Sequence, residues 1–219
     1  MEAIQVGCSW SGGKDSCFAL MQAVQQGAVP RVLLNMMNEN GKISRSHGLP
    51  ASLLRQQATA MEMPMITVPT SWDEYESNFV QSLNAIKTSH EVEAMIFGDI
   101  ELQAHRDWEE KVCASAGMKA LLPNWKRNTK ELLLEMLDQG IVAMIVSCDA
   151  ILGEDFLGII IDDLVIRECE ARGVDVCGEN GEYHTLVINS TIFNQALTLP
   201  TFTKTTHDNY WFIEWNETV

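Results

Sequence analysis

The sequence predicts an α/β protein, a doubly wound parallel sheet followed by a smaller α+β portion, and three observations predict it. Through the first half, short apolar β-prone runs alternate with segments of helical periodicity. A glycine-rich turn, Ser11-Gly12-Gly13-Lys14-Asp15-Ser16, joins the first β-prone run to the first helix. Past residue 125 the alternation gives way to a different mixture of helices and β-prone runs.

Each element follows from local pattern. Ile4 to Trp10 is short and β-prone, and Ser16 to Gln26 repeats apolar residues at helical spacing. Gly27 and Pro30 punctuate that helix, and Arg31 to Met36 is apolar enough for a strand buried on both faces. Leu49 to Met61 gives a second helix, Pro64 to Val68 a third strand, Trp72 to Ser89 a third helix and Ala94 to Asp99 a fourth strand. A further helix covers His105 to Ala116, and the turn-rich Leu122-Pro123-Asn124-Trp125 sets a soft boundary between residues 1–125 and 126–219. Beyond it come a helix over Thr129 to Gln139, a strand over Ile141 to Ser147, a helix over Asp162 to Arg172 and a strand over Thr185 to Ile188. The tail Thr206 to Trp215 reads as a closing strand; its aromatics suit an interface equally well and leave a homodimer open.

Composition narrows the function classes. The 219 residues are 46% apolar and 21% charged, enough for a sizeable core. No apolar run approaches the roughly 18 to 20 residues that span a bilayer, and no basic stretch followed by an apolar run opens the chain. The expectation is a cytoplasmic protein with no membrane contact. Six cysteines fall without a C-x-x-C pair, so free buried thiols are expected rather than a zinc site or a disulfide framework. A formal charge of −15 repels polyanions, which argues against nucleic acid as a direct partner.

The glycine-rich turn is the main chemical signal. Two glycines let backbone approach an anion, and the following helix N-terminus points N–H groups at it. Ser11 and Ser16 add hydroxyls, and Lys14 places a cation near departing phosphates. Asp15 either holds Mg²⁺ through water or braces the loop by accepting backbone N–H bonds. The spacing is not that of a Walker A loop.

Ser9 to Ser16 resembles the PP-loop of the N-type ATP pyrophosphatases. Within that superfamily, Cys177-Gly178-Glu179-Asn180-Gly181-Glu182-Tyr183-His184-Thr185-Leu186-Val187 resembles the signature of the diphthine–ammonia ligase family, also called the diphthamide synthesis amidase or ATP-binding domain 4 family. The likeness spans nearly the whole chain. It touches Gly98-Asp99, His105-Arg106, Pro123-Asn124-Trp125 and Gly153 to Gly158. The resemblance implies a Rossmann-like domain of the HUP type over residues 1–125 and a family-specific C-terminal domain over 126–219. It implies ATP and Mg²⁺, a carboxylate-bearing acceptor and free ammonia. The acceptor is diphthine on elongation factor 2 where the organism makes diphthamide, and another carboxylate otherwise. The implied reaction adenylates the carboxylate, releases pyrophosphate and lets ammonia displace AMP. The chain departs from the family pattern at Asp99, where relatives carry Ala or Ser, and at Ala104-His105-Arg106, where they carry Tyr-Gln-Arg. These departures bear on the acceptor rather than on ATP.

Other candidates carry two readings each. Glu179, Glu182 and His184 sit in a Gly-rich window suited to aiming polar groups into a cleft, to orient or deprotonate ammonium, or else form a solvated turn. Gly98 and Asp99 end an apolar strand, where ligands gather in open sheets, so Asp99 approaches the metal or nucleotide or simply caps a helix. Arg106 either reaches phosphates or pairs with Glu109 or Glu110. Asn35 and Met36 contact adenine or pack, and His47 belongs to a nucleotide or substrate lid or to a surface loop. Glu154 and Asp155 join the substrate cleft or cap a helix.

Overall fold

In the computed structural model, which describes residues 3–216, five parallel strands form one sheet in the order β3-β2-β1-β4-β5. The strands are β1 (Gln5–Ser9), β2 (Val29–Met37), β3 (Met65–Pro69), β4 (Ala94–Ile96) and β5 (Lys119–Leu121). Helices α1 (Lys14–Gln25), α2 (Ala51–Ala60), α3 (Tyr75–Ser89) and α4 (Gln103–Ser115) make the four crossovers. The chain moves outward from β1 to β3 and then returns to set β4 on the other side of β1. Strand order reverses between β1 and β4, and the crevice at their carboxyl ends is where open α/β sheets bind ligands.

The apolar runs are continuous because the sheet is covered on both faces. On one face Val32, Leu34, Met95 and Phe97 meet Phe79, Leu83 and Ile86 of α3 and Val112 of α4. On the other, Cys8 and Leu33 meet Phe18 of α1 and Leu53 and Leu54 of α2. That second core runs on into Met144, Ile145, Leu186 and Val187, so the C-terminal strands share apolar packing with the first sheet. Each fully buried Leu or Phe contributes about 1.5 to 3 kcal/mol of transfer free energy.

Those C-terminal strands form an antiparallel sheet in the order β7-β6-β9-β8: β6 (Val142–Asp149), β7 (Tyr183–Asn189), β8 (Phe202–His207) and β9 (Tyr210–Trp215). Helices α5 (Thr129–Asp138) and α6 (Asp163–Arg172) accompany them. Asn128 caps α5 by accepting from Glu131 N at 3.0 Å, and Asp162 caps α6 through Leu164 N and Val165 N. Gly173, at φ 69°, ends α6 in the left-handed region that glycine tolerates.

Two elements differ from the sequence expectation. Strand β5 went unanticipated because three residues carry no readable period, and it extends the sheet past β4 as an edge. The tail is not one strand. Thr206 and His207 end β8, Asp208 turns with φ 52°, and His207 pairs with Tyr210, which opens β9. Asp208 and Asn209 thus form the two-residue turn of a hairpin, with Asp tolerating the left-handed position. All six cysteines are free and buried, and no helix among the described residues is long and apolar enough to cross a membrane.

A candidate nucleotide site at the sheet crossover

The loop leaving β1 is held in one shape by contacts on every side. Gly12 turns at φ 87°, and a Cβ there would come within 2.7 Å of Leu49 and 2.9 Å of Leu54. Ser11 Oγ accepts from Gly13 N at 3.2 Å and lies 3.0 Å from Ser16 Oγ, which donates to Gly13 O at 3.1 Å. Gly13 precedes α1 and offers no side-chain cap of its own, and the positive end of the helix faces outward from the loop with, among the described residues, only its Lys14 N engaged by a side chain, Thr185 Oγ1.

The loop is fastened to both sheets. Gly12 O accepts from Val187 N at 2.9 Å and from Gln57 Nε2 at 2.9 Å. Gln57 is wholly buried; its Nε2 also donates to Val187 O at 2.8 Å while its Oε1 accepts from Trp10 Nε1 at 2.8 Å. Lys14 N donates to Thr185 Oγ1 at 3.1 Å. Across the crossover, a Cβ on Gly98 would lie 2.7 Å from Ser16 N and 2.8 Å from Asp15 C, backbone atoms that cannot step aside. Asn124, also fully buried, donates from Nδ2 to Asp15 O at 3.0 Å and Gly98 O at 3.1 Å, stitching the two loops together.

Lys14 is only 2% exposed, yet every donor it uses has a target. Its Nζ donates to Asp15 Oδ2 at 2.9 Å and Cys177 O at 2.5 Å, and lies 5.0 Å from the Tyr183 ring centroid. Burial works against the charged form, but adjacent Asp15, supported by Cys177 and Glu179, outweighs it and holds the amine's pKa above its ordinary value. Asp15 Oδ1 is buried with no hydrogen-bond partner in the protein.

The loop from Cys177 to Glu182 supplies the next wall. Glu179 Oε1 accepts from Ile100 N and Glu101 N, each at 3.0 Å, fixing the segment after β4. Burial raises the Glu179 pKa, with those two bonds opposing it. Glu182 turns away from the cavity and braces its own loop, accepting from Asn180 N at 3.0 Å and Asp175 N at 3.3 Å. His184 and His47 stack loosely, centroids 4.7 Å apart. His47 Nδ1 lies 2.9 Å from Thr185 O, and since a carbonyl only accepts, Nδ1 carries the proton and Nε2 keeps its lone pair. Burial lowers the His47 pKa to about 4 and that of His184 to about 3, so both rings are neutral near pH 7.

A third wall comes from α3, α4 and the end of β4. His105 Nδ1 lies 2.6 Å from Asp99 Oδ1. Glu109, 3% exposed, is pushed up to about 10 by burial and by its hydrogen bond to Asp99, so at neutral pH it is the protonated member of that pair. Asp99 stays ionised: burial opposes this, and its bonds to His105 and Glu109 prevail. The His105 pKa rises in turn, chiefly through its bond to Asp99.

These walls enclose one cavity of about 900 Å³. Ser11, Lys14, Asp15 and Ser16 line it, as do His47, Gly98, Asp99, Glu179 and His184. Gly12 and Gly13 shape the turn behind that surface. Asn35 and Met36 lie at the end of β2 outside the lining; Asn35 Nδ2 donates to Trp10 O at 2.7 Å. Arg106 is also outside, donating to Glu110 Oε1 at 2.7 Å with its guanidinium 5.0 Å from the Trp125 centroid. Glu154 and Asp155 form a short 3-10 turn elsewhere. Sequence reasoning missed Gln57, which carries no local signature; it quoted Thr185 only as part of the family-like segment and of a strand, and Glu109 only as a partner for Arg106, and neither role at the site showed. Asn124 lay within a noticed Pro-Asn-Trp turn, though its bridging role did not show.

A doubly wound sheet that presents Ser-Gly-Gly-Lys-Asp-Ser at its crossover, beside an appended antiparallel sheet, defines an α/β protein of the PP-loop, ATP-binding kind. The diphthamide synthase N-terminal domain family matches residues 4–120, and the diphthamide synthase C-terminal domain family matches residues 128–218. The diphthine–ammonia ligase of Homo sapiens is 28% identical over 214 residues, covering 85% of this chain and 79% of its own. That of Bos taurus is 28% identical over 225 residues, covering 90% and 83%. The Schizosaccharomyces pombe protein of the same name is also 28% identical, but its matched region is 35% of its length. A solved structure titled as a predicted subunit of tRNA methyltransferase from Methanocaldococcus jannaschii aligns over 86% of this chain at 12% identity and a TM-score of 0.44, too distant to inform the site. The chain belongs to the diphthamide synthase family; it is an enzyme, an amide-forming ligase, and that membership implies use of ATP.

Proposed function

We propose that the chain adenylates a carboxylate with ATP, releasing pyrophosphate, and then lets ammonia displace AMP to give an amide. The acceptor on this reading is diphthine on a protein, as the names of the relatives suggest. One observation carries the reading: the N-terminus of α1, flanked by the Ser11 and Ser16 hydroxyls and the Lys14 cation, opens on the same cavity as a carboxylate and imidazole wall.

The triphosphate would lie against that N-terminus, whose N–H groups and dipole favour anions. Lys14 offsets the charge that develops on departing pyrophosphate. Asp15 fits a Mg²⁺ ion, because its buried Oδ1 lacks a protein partner; among the described residues no three or more His, Cys, Asp or Glu side chains form a metal cluster alone. Mg²⁺ held by Asp15 would supply further charge neutralisation for the phosphates. The acceptor carboxylate attacks the α-phosphorus and forms an acyl adenylate. Ammonia then attacks the acyl carbon, AMP leaves, and a neutral imidazole, His184 or His47, takes the proton that the new amide sheds. Glu179 and Glu182 act by position: the first holds the backbone at Ile100 and Glu101, the second braces its own loop. In this division residues 1–125 hold the nucleotide and also supply the α3–α4 wall of the cavity, while residues 126–219 add to the acceptor side through the 177–185 segment.

The test is product analysis. With ATP, Mg²⁺, ammonium and diphthine-bearing elongation factor 2, the expected products are AMP and pyrophosphate in equal amounts, with the acceptor gaining an amide. ADP and inorganic phosphate as products overturn the reading.

A further inference from the structure

The wall formed by α3 and α4 is chemically unlike a phosphate site. Four aromatic rings line it, Trp72, Tyr75, Phe97 and Trp108, with Trp72 to Tyr75 centroids 5.6 Å apart and Tyr75 to Trp108 centroids 5.7 Å apart. Trp72 is 69% exposed, an unusual cost in apolar surface for a residue that packs no core. Set among the rings are Asp99 and Glu109. Glu109 is 97% removed from solvent, and its Oε2 has no hydrogen-bond partner in the protein. That oxygen's dipole adds negative potential beside the rings, an interaction that does not require an N–H donor from the ligand.

The charge balance says which kind. The two carboxyls share one proton and keep one negative charge; Glu179 borders the same cavity. Lys14 is committed to Asp15 and Cys177 O. Arg45 lies 4.7 Å from the Trp72 centroid but is tied to the Thr70 carbonyl, so one face of that indole already carries a cation. His105 is held by Asp99. Aromatic faces beside fixed carboxylates attract cations, and most strongly those whose alkyl groups make them easy to strip of water.

We propose that this wall is a binding subsite for an alkylated ammonium group, the quaternary ammonium carried by the acceptor beside the carboxylate to be amidated. A diphthine side chain has that pairing, so the acceptor's identity rests on the ligase reading above; the cation site itself does not. The cation would sit against Trp72, Tyr75 and Trp108 with Asp99 as counter-ion, and the carboxylate beside it would then be presented towards the phosphate loop.

The experiment uses the protein without ATP. Tetramethylammonium chloride is titrated in while the indole N–H NMR signals of Trp72 and Trp108 are followed, with sodium chloride and ammonium chloride as matched controls. The expected result is saturable movement of both signals with tetramethylammonium alone, and binding weakened at least about tenfold in Trp72→Ala and in Asp99→Asn. Trp72 is exposed, so Trp72→Ala stays informative if the Asp99 variant does not fold. No saturation, equal movement with ammonium chloride, or wild-type binding by Trp72→Ala overturns the proposal. A protein that forms AMP and pyrophosphate yet ignores tetramethylammonium contradicts the subsite alone. One that binds it yet makes no AMP contradicts the ligase reading alone.

Discussion

The phosphate-loop wall of the cavity is made of six consecutive residues that work largely through backbone and small hydroxyls, whereas the other wall gathers Trp72 from the loop before α3, Asp99 from the loop after β4, and His105 and Glu109 from α4. The first is rigid because its carbonyls and N–H groups are already bonded to Gln57, Val187, Thr185 and Asn124. The second is held by side chains and a shared proton. Anion recognition by backbone therefore tolerates little change, while recognition by side chains leaves room to retune the acceptor without touching ATP.

The comparison can be broken at its strongest point by removing the cation from the loop. Lys14→Ala should lower the rate of pyrophosphate release by about 10² to 10³, the scale expected for one preorganised charge, as measured by a coupled pyrophosphate assay. An unchanged rate would mean the loop does not face the leaving group. Next in size is Gln57→Leu, which strands Trp10 Nε1 and Val187 O in the core. Thermal unfolding should show a loss of about 2 to 4 kcal/mol, with weaker ATP binding as the loop loosens. Gly98→Ala should cost about 1 to 3 kcal/mol by pressing on the backbone of Asp15 and Ser16; a neutral result would show that the two loops are not in contact.

Acid should act through the two histidines. Both folded-state pKa values lie below the ordinary 6.5, at about 4 and about 3, so below pH 6.5 the unfolded chain binds protons that the folded chain refuses. No stability is lost above pH 6.5; below it, each ring contributes a loss of about 1.4 kcal/mol per pH unit until its folded pKa is reached. The melting temperature should fall between pH 6.5 and 4, and less steeply in His184→Asn. The smallest effect is expected at Glu109→Gln. A carboxyl already protonated is replaced by an amide of its own shape, so the change in stability should stay within about 1 kcal/mol at pH 7. A large loss would show Glu109 to be ionised.

The same contrast explains what was legible beforehand. The phosphate loop is contiguous, and its glycines and hydroxyls announce the turn, so Ser11 to Ser16 could be read directly. The sheet was legible for a similar reason: β1, β2 and β4 are buried apolar runs separated by periodic helices. Strand β5 was not, since Lys119–Leu121 is too short to show a period. Gln57 sits in α2 with no local mark of its role, which exists only because β7 and Trp10 come to it from 130 and 47 residues away. Arg106 sat on a promising helix, but an acceptor one turn on, Glu110, is closer than the cavity. Asp99 and Glu109 lie ten positions apart, and only the descent of α4 beside β4 makes them share a proton.

The adenylation step is tested most directly by isotope transfer. If the acceptor carboxylate is labelled with ¹⁸O at both oxygens and turned over with unlabelled ATP and ammonia, attack on the α-phosphorus carries one labelled oxygen into AMP and leaves the other in the amide. The account predicts AMP carrying a single ¹⁸O. Unlabelled AMP, or label in inorganic phosphate, would contradict it.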